Sequence, residues 1–287
     1  MIHQPGQEQR PYRKRKRKLA LAITLALAVG LAGKAWSDTM AVPEVVSVAF
    51  STQLGSANLP VRIALLSDIH VAGPDMPPSR LRGIVKQVNA LKPDLVLIAG
   101  DMVSEKRTAT QLYSAQEAIE PLAELVAPLG VIAVPGNHDH WLDIGEVTEA
   151  FGKAGVSVLA NDAVQAGPLA IAGVDDDFTG RADLERTLGA ARGLSGPLII
   201  LTHSPDIFPQ VPDGSGLVLA GHTHCGQIAW PWGGSPATMS RYGQRYACGV
   251  TRERGNMLVT SGGLGTSVLP FRLFTRPQIW LVTVGGS

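Results

Sequence analysis

Cysteine is scarce in this sequence: Cys225 and Cys248 are the two among 287 residues. Two are too few for a disulfide-built scaffold. With no cluster of three or four, a thiolate zinc knot and an iron–sulfur centre are also disfavoured. Whether the two pair stays open at this level, although an exported location would permit it. Aromatic residues are few as well, at 5 %. No internal repeat is visible, and no low-complexity block beyond a basic tail. What is plentiful is apolar side chains at 45 %, with 32 glycines and 20 prolines. A chain of this length can bury a sizeable core, and this composition suits an α/β protein with many small-residue turns.

The net charge of +1 hides an asymmetry. Residues 1–18 hold seven of the 25 basic residues and one acid, Glu8. The remaining 18 basic and 23 acidic residues leave a balance of −5. The basic block therefore belongs to the tail. A nucleic-acid arm is one reading of such a run, but the next segment argues against it, and no nucleic-acid-binding patch is expected. Leu19 to Gly33 is uncharged and apolar, and Lys34 follows. A charged flank before about fifteen apolar residues is the layout of a secretory signal or of a short signal anchor. Small residues near Gly33 and Ala35 would permit cleavage; the reading adopted is an uncleaved anchor. Positive-inside reasoning puts the tail in the cytoplasm and the remainder outside the plasma (inner) membrane, on the periplasmic or extracytoplasmic side. The resulting division is a basic cytoplasmic tail (1–18), a signal anchor or transmembrane segment (19–36), a linker with an edge strand (37–60) and one domain (61–287).

Inside the domain, short apolar runs alternate with helical patterns. An edge strand is expected near Val45 to Phe50, and buried strands at Arg62–Leu66, Leu95–Ala99 and Val131–Val134. Further strands are expected at Val156–Leu159, Leu169–Ala172, Leu198–Leu201, Leu217–Leu219, Met257–Thr260 and Ile279–Val284. Apolar spacing predicts helices at Ser79–Ala90 with Ser79 as N-cap, at about 110–126 with a break at Pro121, at Ile144–Ala154 and at Asp183–Ala190. Continuous apolar runs between helices read as buried sheets covered by helices. The later strands lack long helices between them, so part of the sheet structure should be antiparallel.

The chemistry-bearing residues gather at the ends of these strands. The five blocks are Ser67-Asp68-Ile69-His70, Gly100-Asp101, Gly136-Asn137-His138-Asp139, Thr202-His203 and Gly221-His222-Thr223-His224. A single Asp or His after a strand is ordinarily a turn or capping residue. Five such coincidences are hard to explain by turn chemistry, and ligands of open α/β sheets collect outside strand ends. Alternate residues of an extended segment share a face, which would let His222 and His224 reach one ion or two neighbouring ions, and likewise Asp68 and His70. Mixed imidazole, carboxylate and amide ligation suits Mn, Fe, Zn or Ni. Seven ligands exceed one ion and suit two ions sharing a carboxylate.

The order D-x-H, GD, GNHD, H, GHTH resembles the calcineurin-like metallophosphoesterases over nearly all of residues 61–284. Within them, the stretches LKPDLVLIAGD, LTHSPDIFPQV, GHTHCGQI and SGGLGTSVLPFRLFTRPQI resemble the membrane-associated bacterial branch of YkuE/YaeI-like phosphodiesterases. The resemblance implies a four-layer αββα sandwich behind the anchor helix, and two divalent metal ions (Mn, Zn or Fe). It implies Asp68, His70 and His224 on one ion, and Asn137, His203 and His222 on the other, with Asp101 between them. His138 would be the acid beside the metals. The implied reaction is hydrolysis of phosphate esters, phosphodiesters above all, by in-line attack of a hydroxide held between the ions while His138 protonates the leaving group. The implied partners are a phosphate-ester substrate, lipid-linked or not, and the membrane. Asp139 would either support His138 or cap the helix ahead of Ile144.

Smaller features admit two readings each. His140 contacts substrate or lies on the rim, and the rim is preferred. Cys225 is a packed small residue rather than a ligand. Trp230 and Trp232 meet the membrane or an apolar substrate tail, or pack on the domain. Two other functions stand beside phosphodiester hydrolysis. A UDP-2,3-diacylglucosamine-type pyrophosphate hydrolase would need a cytoplasmic substrate, against the topology above. A non-catalytic metal-dependent scaffold would not need His138.

Overall fold

The computed structural model describes residues 9–52 and 60–285. Residues 1–8 of the basic tail, 53–59 of the expected linker and 286–287 of the expected domain lie outside the described residues. Helix α1 (Gln9–Thr39) continues past the point where the linker was expected to begin. Within it, Lys14–Thr39 is long and apolar enough to cross a membrane, with a mean hydropathy of 1.8, and the domain covers none of its apolar stretch. Its last turn behaves differently, because Asp38 and Thr39 are buried against the domain.

The chain then runs through β1 (Glu44–Phe50), β2 (Val61–Leu66), β3 (Ala72–Gly73), α2 (Pro78–Ala90), β4 (Leu95–Ala99) and β5 (Gln111–Leu112). It continues through α3 (Ala115–Ile119), β6 (Val131–Val134), α4 (Asn137–Leu142), α5 (Ile144–Lys153), β7 (Ser157–Val158), β8 (Asp162–Ala166) and β9 (Leu169–Gly173). The remainder is α6 (Leu184–Ala190), β10 (Leu198–Leu201), β11 (Leu217–Ala220), β12 (Gly249–Glu253), β13 (Asn256–Thr260) and β14 (Gln278–Val284). One sheet has the order β1-β14-β2-β4-β6-β7, and the other β12-β13-β11-β10-β9-β8. Neighbours are parallel except at β14–β2, β12–β13 and β8–β9. Antiparallel pairs are present as expected, but β10, β11 and β13 run parallel although no long helix separates them.

Alternation along the strands explains the layering. On β2, Ile63 and Leu65 face the second sheet, while Ala64 and Leu66 face the helices. The intersheet core joins those residues and Leu97 to Ile171, Leu201, Leu219 and Val259. The outer face of the first sheet packs on Leu81, Ile84, Val85 and Val88 of α2 and on Phe151 of α5. The outer face of the second packs on Phe208, Val211 and Tyr246. Strands buried on both faces read as unbroken apolar runs, which is why they were legible. The result is the four-layer αββα sandwich.

Some local expectations differ from the structure. Helix α2 starts at Pro78 after an extended Pro77, and Ser79 lies inside its first turn rather than at its cap. Proline tolerates that position because the amide it lacks would be unpaired there anyway. The helix expected over 110–126 is short: Ser114 and Glu117 form a capping box for α3, and a 3-10 turn carries Pro121. Strands β8 and β12 escaped the pattern reading because edge strands with an exposed face lack a continuous apolar run.

Candidate metal centre

Strands β2, β4 and β6 run parallel in one sheet, and β10 and β11 in the other. Their carboxyl ends therefore lie at one edge of the sandwich. Asp68 and His70 follow β2, Asp101 follows β4, Asn137 and His138 open α4 after β6, His203 follows β10, and His222 and His224 follow β11. All eight are buried. The structure brings every expected site residue together.

The convergence does not come from alternate residues of extended segments sharing a face. Asp68, His70, Asp101, His222 and His224 all have φ between 48° and 70°. This left-handed region is uncommon for side-chain-bearing residues, though Asp and His tolerate it best, and such strain clusters at functional sites. As a result His222 and His224 point into different groups. His222 Nδ1 lies 3.1 Å from His203 Nε2, and His224 Nε2 lies 3.1 Å from His70 Nε2. His203 Nε2 is also 3.1 Å from Asn137 Oδ1. Three groups of side chains are disposed to hold a metal ion: Asp68, His70 and His224; His70, Asp101 and His138; and Asp101, His203 and His222.

Backbone groups hold the carboxylates in place. The His222 amide donates to both oxygens of Asp68, at 2.9 and 3.0 Å. The His138 amide donates to Asp101 Oδ1 at 2.9 Å. Asp101 Oδ2 faces inward, 3.2 Å from His203 Nε2, 3.5 Å from His70 Nε2 and 4.0 Å from His138 Nε2. Glycine is required at 136, where an added Cβ would collide with the Asp101 carboxylate.

The electrostatics describe a site short of positive charge. Burial pushes the Asp68 carboxyl up to about 7, with the Asp101 charge adding to it. Burial opposes the charged form of His203, but Asp101, with Asp68 and Asp176, outweighs it and lifts the ring to about 10. Burial also works against ionised Asp101, but His203 and its other histidine neighbours hold it well below the usual carboxylate range. His203 Nδ1 is 2.7 Å from the Ala99 carbonyl, which only accepts. Nδ1 therefore carries a hydrogen, and the positive charge drawn to Nε2 can be a proton or a cation. Burial keeps His70, His222 and His224 neutral, with His222 at about 3. Neutral imidazoles are the form that ligates metals. Ring nitrogens crowded at 3.1 Å around buried carboxylates thus fit divalent cations.

Residues invisible to the motif reading complete the site. Glu105 lies 2.7 Å from His138 Nδ1. Arg272 is fully buried, donates to the Gly262 and Gly265 carbonyls, and brings Nη2 within 3.3 Å of His224 Nδ1. Trp141 and Phe178 stand beside His138 and His222, each with ring centroids 4.8 Å apart. Asp139 neither supports His138 nor caps α5. Its carboxylate accepts from the amides of Asp101, Met102, Val103 and Gly136, tying the loop after β4 to the start of α4. Asp143 caps α5 instead. His140 packs against Asp175 at 2.7 Å with its ring nearly covered. Cys225 and Cys248 form a disulfide.

Residues 61–226 match the calcineurin-like phosphoesterase family. This chain belongs to that family. Family members depend on a dinuclear metal centre, which accords with the grouped Asp and His residues here. The chain is 33 % identical over 259 residues to a transmembrane protein with metallophosphoesterase domain from Danio rerio, covering 83 % of this chain and 56 % of that protein. It is 33 % identical over 217 residues to the metallophosphoesterase YkuE of Bacillus subtilis (strain 168), covering 72 % of this chain and 73 % of that one. A metallophosphoesterase from Aquifex aeolicus (strain VF5) is 31 % identical over 238 residues, covering 79 % and 86 %. The match thus spans little more than half the length of the zebrafish protein. An apolar N-terminal helix beside a transmembrane-named relative points to membrane anchoring.

Proposed function

We propose that this chain is a dinuclear-metal phosphoesterase acting on phosphodiesters, anchored by α1 with its catalytic domain on the extracytoplasmic side. One observation carries the reading: a single oxygen, Asp101 Oδ2, faces His70 on one side and His203 on the other. An inward carboxylate between two histidine groups is what two adjacent cations would share. Asp68, His70 and His224 would hold one cation; Asn137, His203 and His222 the other; Asp101 would join them. When bound, two divalent ions (Mn, Zn or Fe) supply a water activated near neutral pH and neutralise phosphate oxygens.

The side chains do the remaining work. His138 sits at the edge of the group with Nε2 toward the centre and Nδ1 toward Glu105. An ionised Glu105 accepts from Nδ1–H and favours the imidazolium form of the ring, in which Nε2 also carries a proton and presents it inward. Passing that proton to the departing ester oxygen contributes roughly 10²–10⁴-fold. Trp141 and Phe178 flank the opening and offer apolar surface to the alcohol portion of the substrate.

Replacing Asp101 with Asn tests this reading through metal content and hydrolysis of an aryl phosphodiester. Both should fall; full retained activity overturns it. His138→Gln should keep its metal and lose turnover, whereas loss of metal would make His138 a ligand. Aryl monoesters measured in parallel decide the diester preference.

A further inference from the structure

Helix α1 is not tethered loosely to the domain; its last turn is fixed to the loop of residues 266–276 and to Arg80 of α2. The Arg272 amide donates to Thr39 Oγ1 at 2.6 Å, and the Phe274 amide to Asp38 Oδ2 at 2.9 Å. Trp36 meets Phe271 edge-on at 6.4 Å, and Lys34 Nζ lies 5.3 Å from the centre of the Phe274 ring. On the other side of α1's end, Arg80 donates to the Thr39 and Ala41 carbonyls. The direction of the helix and the face of the loop are therefore set together.

That loop carries apolar side chains that the described residues leave partly or largely exposed. Val268 is 71 % exposed, Leu269 44 %, and Phe271 and Phe274 39 % each. Beside it lies a cavity of about 610 Å³ lined by Phe274 and Trp230 and by the charged Lys34, Asp38, Glu44 and Arg276, and Trp232, 80 % exposed, stacks on Trp230 beyond it. Contiguous exposed apolar groups on a soluble surface mark a contact site. The occupant follows from α1. Fifteen apolar residues from Leu19 to Gly33 rise about 22 Å as a helix, short of a hydrocarbon core of about 30 Å. The boundary of that core must then lie close to Lys34 and Trp36, a level that tryptophan favours and at which lysine reaches toward water. Phe271 and Phe274, in contact with those two residues, sit at the same level.

We propose that the loop bearing Val268, Leu269, Phe271 and Phe274 is a membrane-docking surface, seated in the headgroup region of the bilayer that α1 crosses. The partner is lipid, and docking gives the domain one orientation on the membrane. This rests on α1 spanning a bilayer and is independent of the reaction catalysed at the centre.

The test uses the full chain reconstituted in phosphatidylcholine–phosphatidylglycerol vesicles. The native cysteines are paired, so a fluorophore can be placed on Val268→Cys alone. Asp213→Cys, preceding β11 at the end of the sandwich away from the metal centre, is the reference. Lipids carrying a quencher just below the headgroup should quench the label at 268 at least threefold more than at 213. Equal quenching at the two positions overturns docking. So does a label at 268 shielded from both lipid-borne and aqueous quenchers, which would place protein over the patch. Hydrolysis of a soluble aryl phosphodiester by the same preparation reports separately on the phosphoesterase reading.

Discussion

A Glu105 carboxylate oxygen stands 2.7 Å from Nδ1 of His138, although the two residues are 33 positions apart. Burial works against the charged ring, but the hydrogen bond to Glu105 and the charge of Asp101 outweigh it and raise the pKa of His138. An acid must be protonated to act, so a raised value extends activity toward higher pH, and activity falls as pH climbs through it. Glu105→Gln should move that alkaline limb to lower pH and cut kcat by about tenfold, in the range lost when a positioning partner is removed. Metal content should not change. An unmoved pH–rate profile would show that Glu105 does not act through His138.

Gly136→Ala should damage the centre without replacing any of the proposed ligands. Its new Cβ would collide with the Asp101 carboxylate, the group that faces both histidine clusters. Metal affinity should drop by roughly 10–100-fold, as for other losses of support around a ligand. Gly189→Ala is the control: it lies in α6 with nothing within 4 Å of its new Cβ, and should be neutral or slightly stabilising. Equal metal binding by the two variants would sink the argument.

Lys106 and Asp75 form a buried pair at 2.6 Å, and Thr266 bonds to both. They hold the start of the docking loop to the first sheet's side of the site. Lys106→Ala leaves the Asp75 charge buried without its cation and should cost about 3–5 kcal/mol in a urea titration. Lys106→Met with Asp75→Asn should recover part of that loss. A single variant as stable as the parent would show that the pair is solvated.

The Cys225–Cys248 disulfide closes a sequence separation of 23 residues immediately after His224. Loop-closure entropy assigns such a link roughly 3 kcal/mol. Reductant, or the Cys225→Ser/Cys248→Ser pair, should lower the melting temperature and weaken metal retention through His224. An unchanged melting temperature in reductant with the thiols confirmed free would refute it.

The blocks from Asp68 to His224 were legible because each candidate ligand sits where an apolar strand ends, and both signals are local. The sandwich core was legible for the same reason: Ile63 through Leu66 and Leu95 through Ala99 have no polar face. Strands β8 and β12 were not, since exposed edge residues carry no such run. The roles of Asp139 and Glu105 were not legible either. Asp139 sits next to His138 in the chain yet bonds to amides from 101 to 103, while Glu105 is remote in the chain and adjacent in space.

By itself, the sequence determined the identities and strand-end positions of the candidate ligands, the apolar strands of both sheets and the basic-then-apolar start. Tertiary structure alone decided which candidate ligands share a group, which carboxylate faces both groups and which loop meets the end of α1. The division has a physical cause. Apolar periodicity follows from local backbone geometry, whereas the convergence of Asp68, Asp101 and His222 depends on left-handed turns and on long-range pairing of strands that no local window contains.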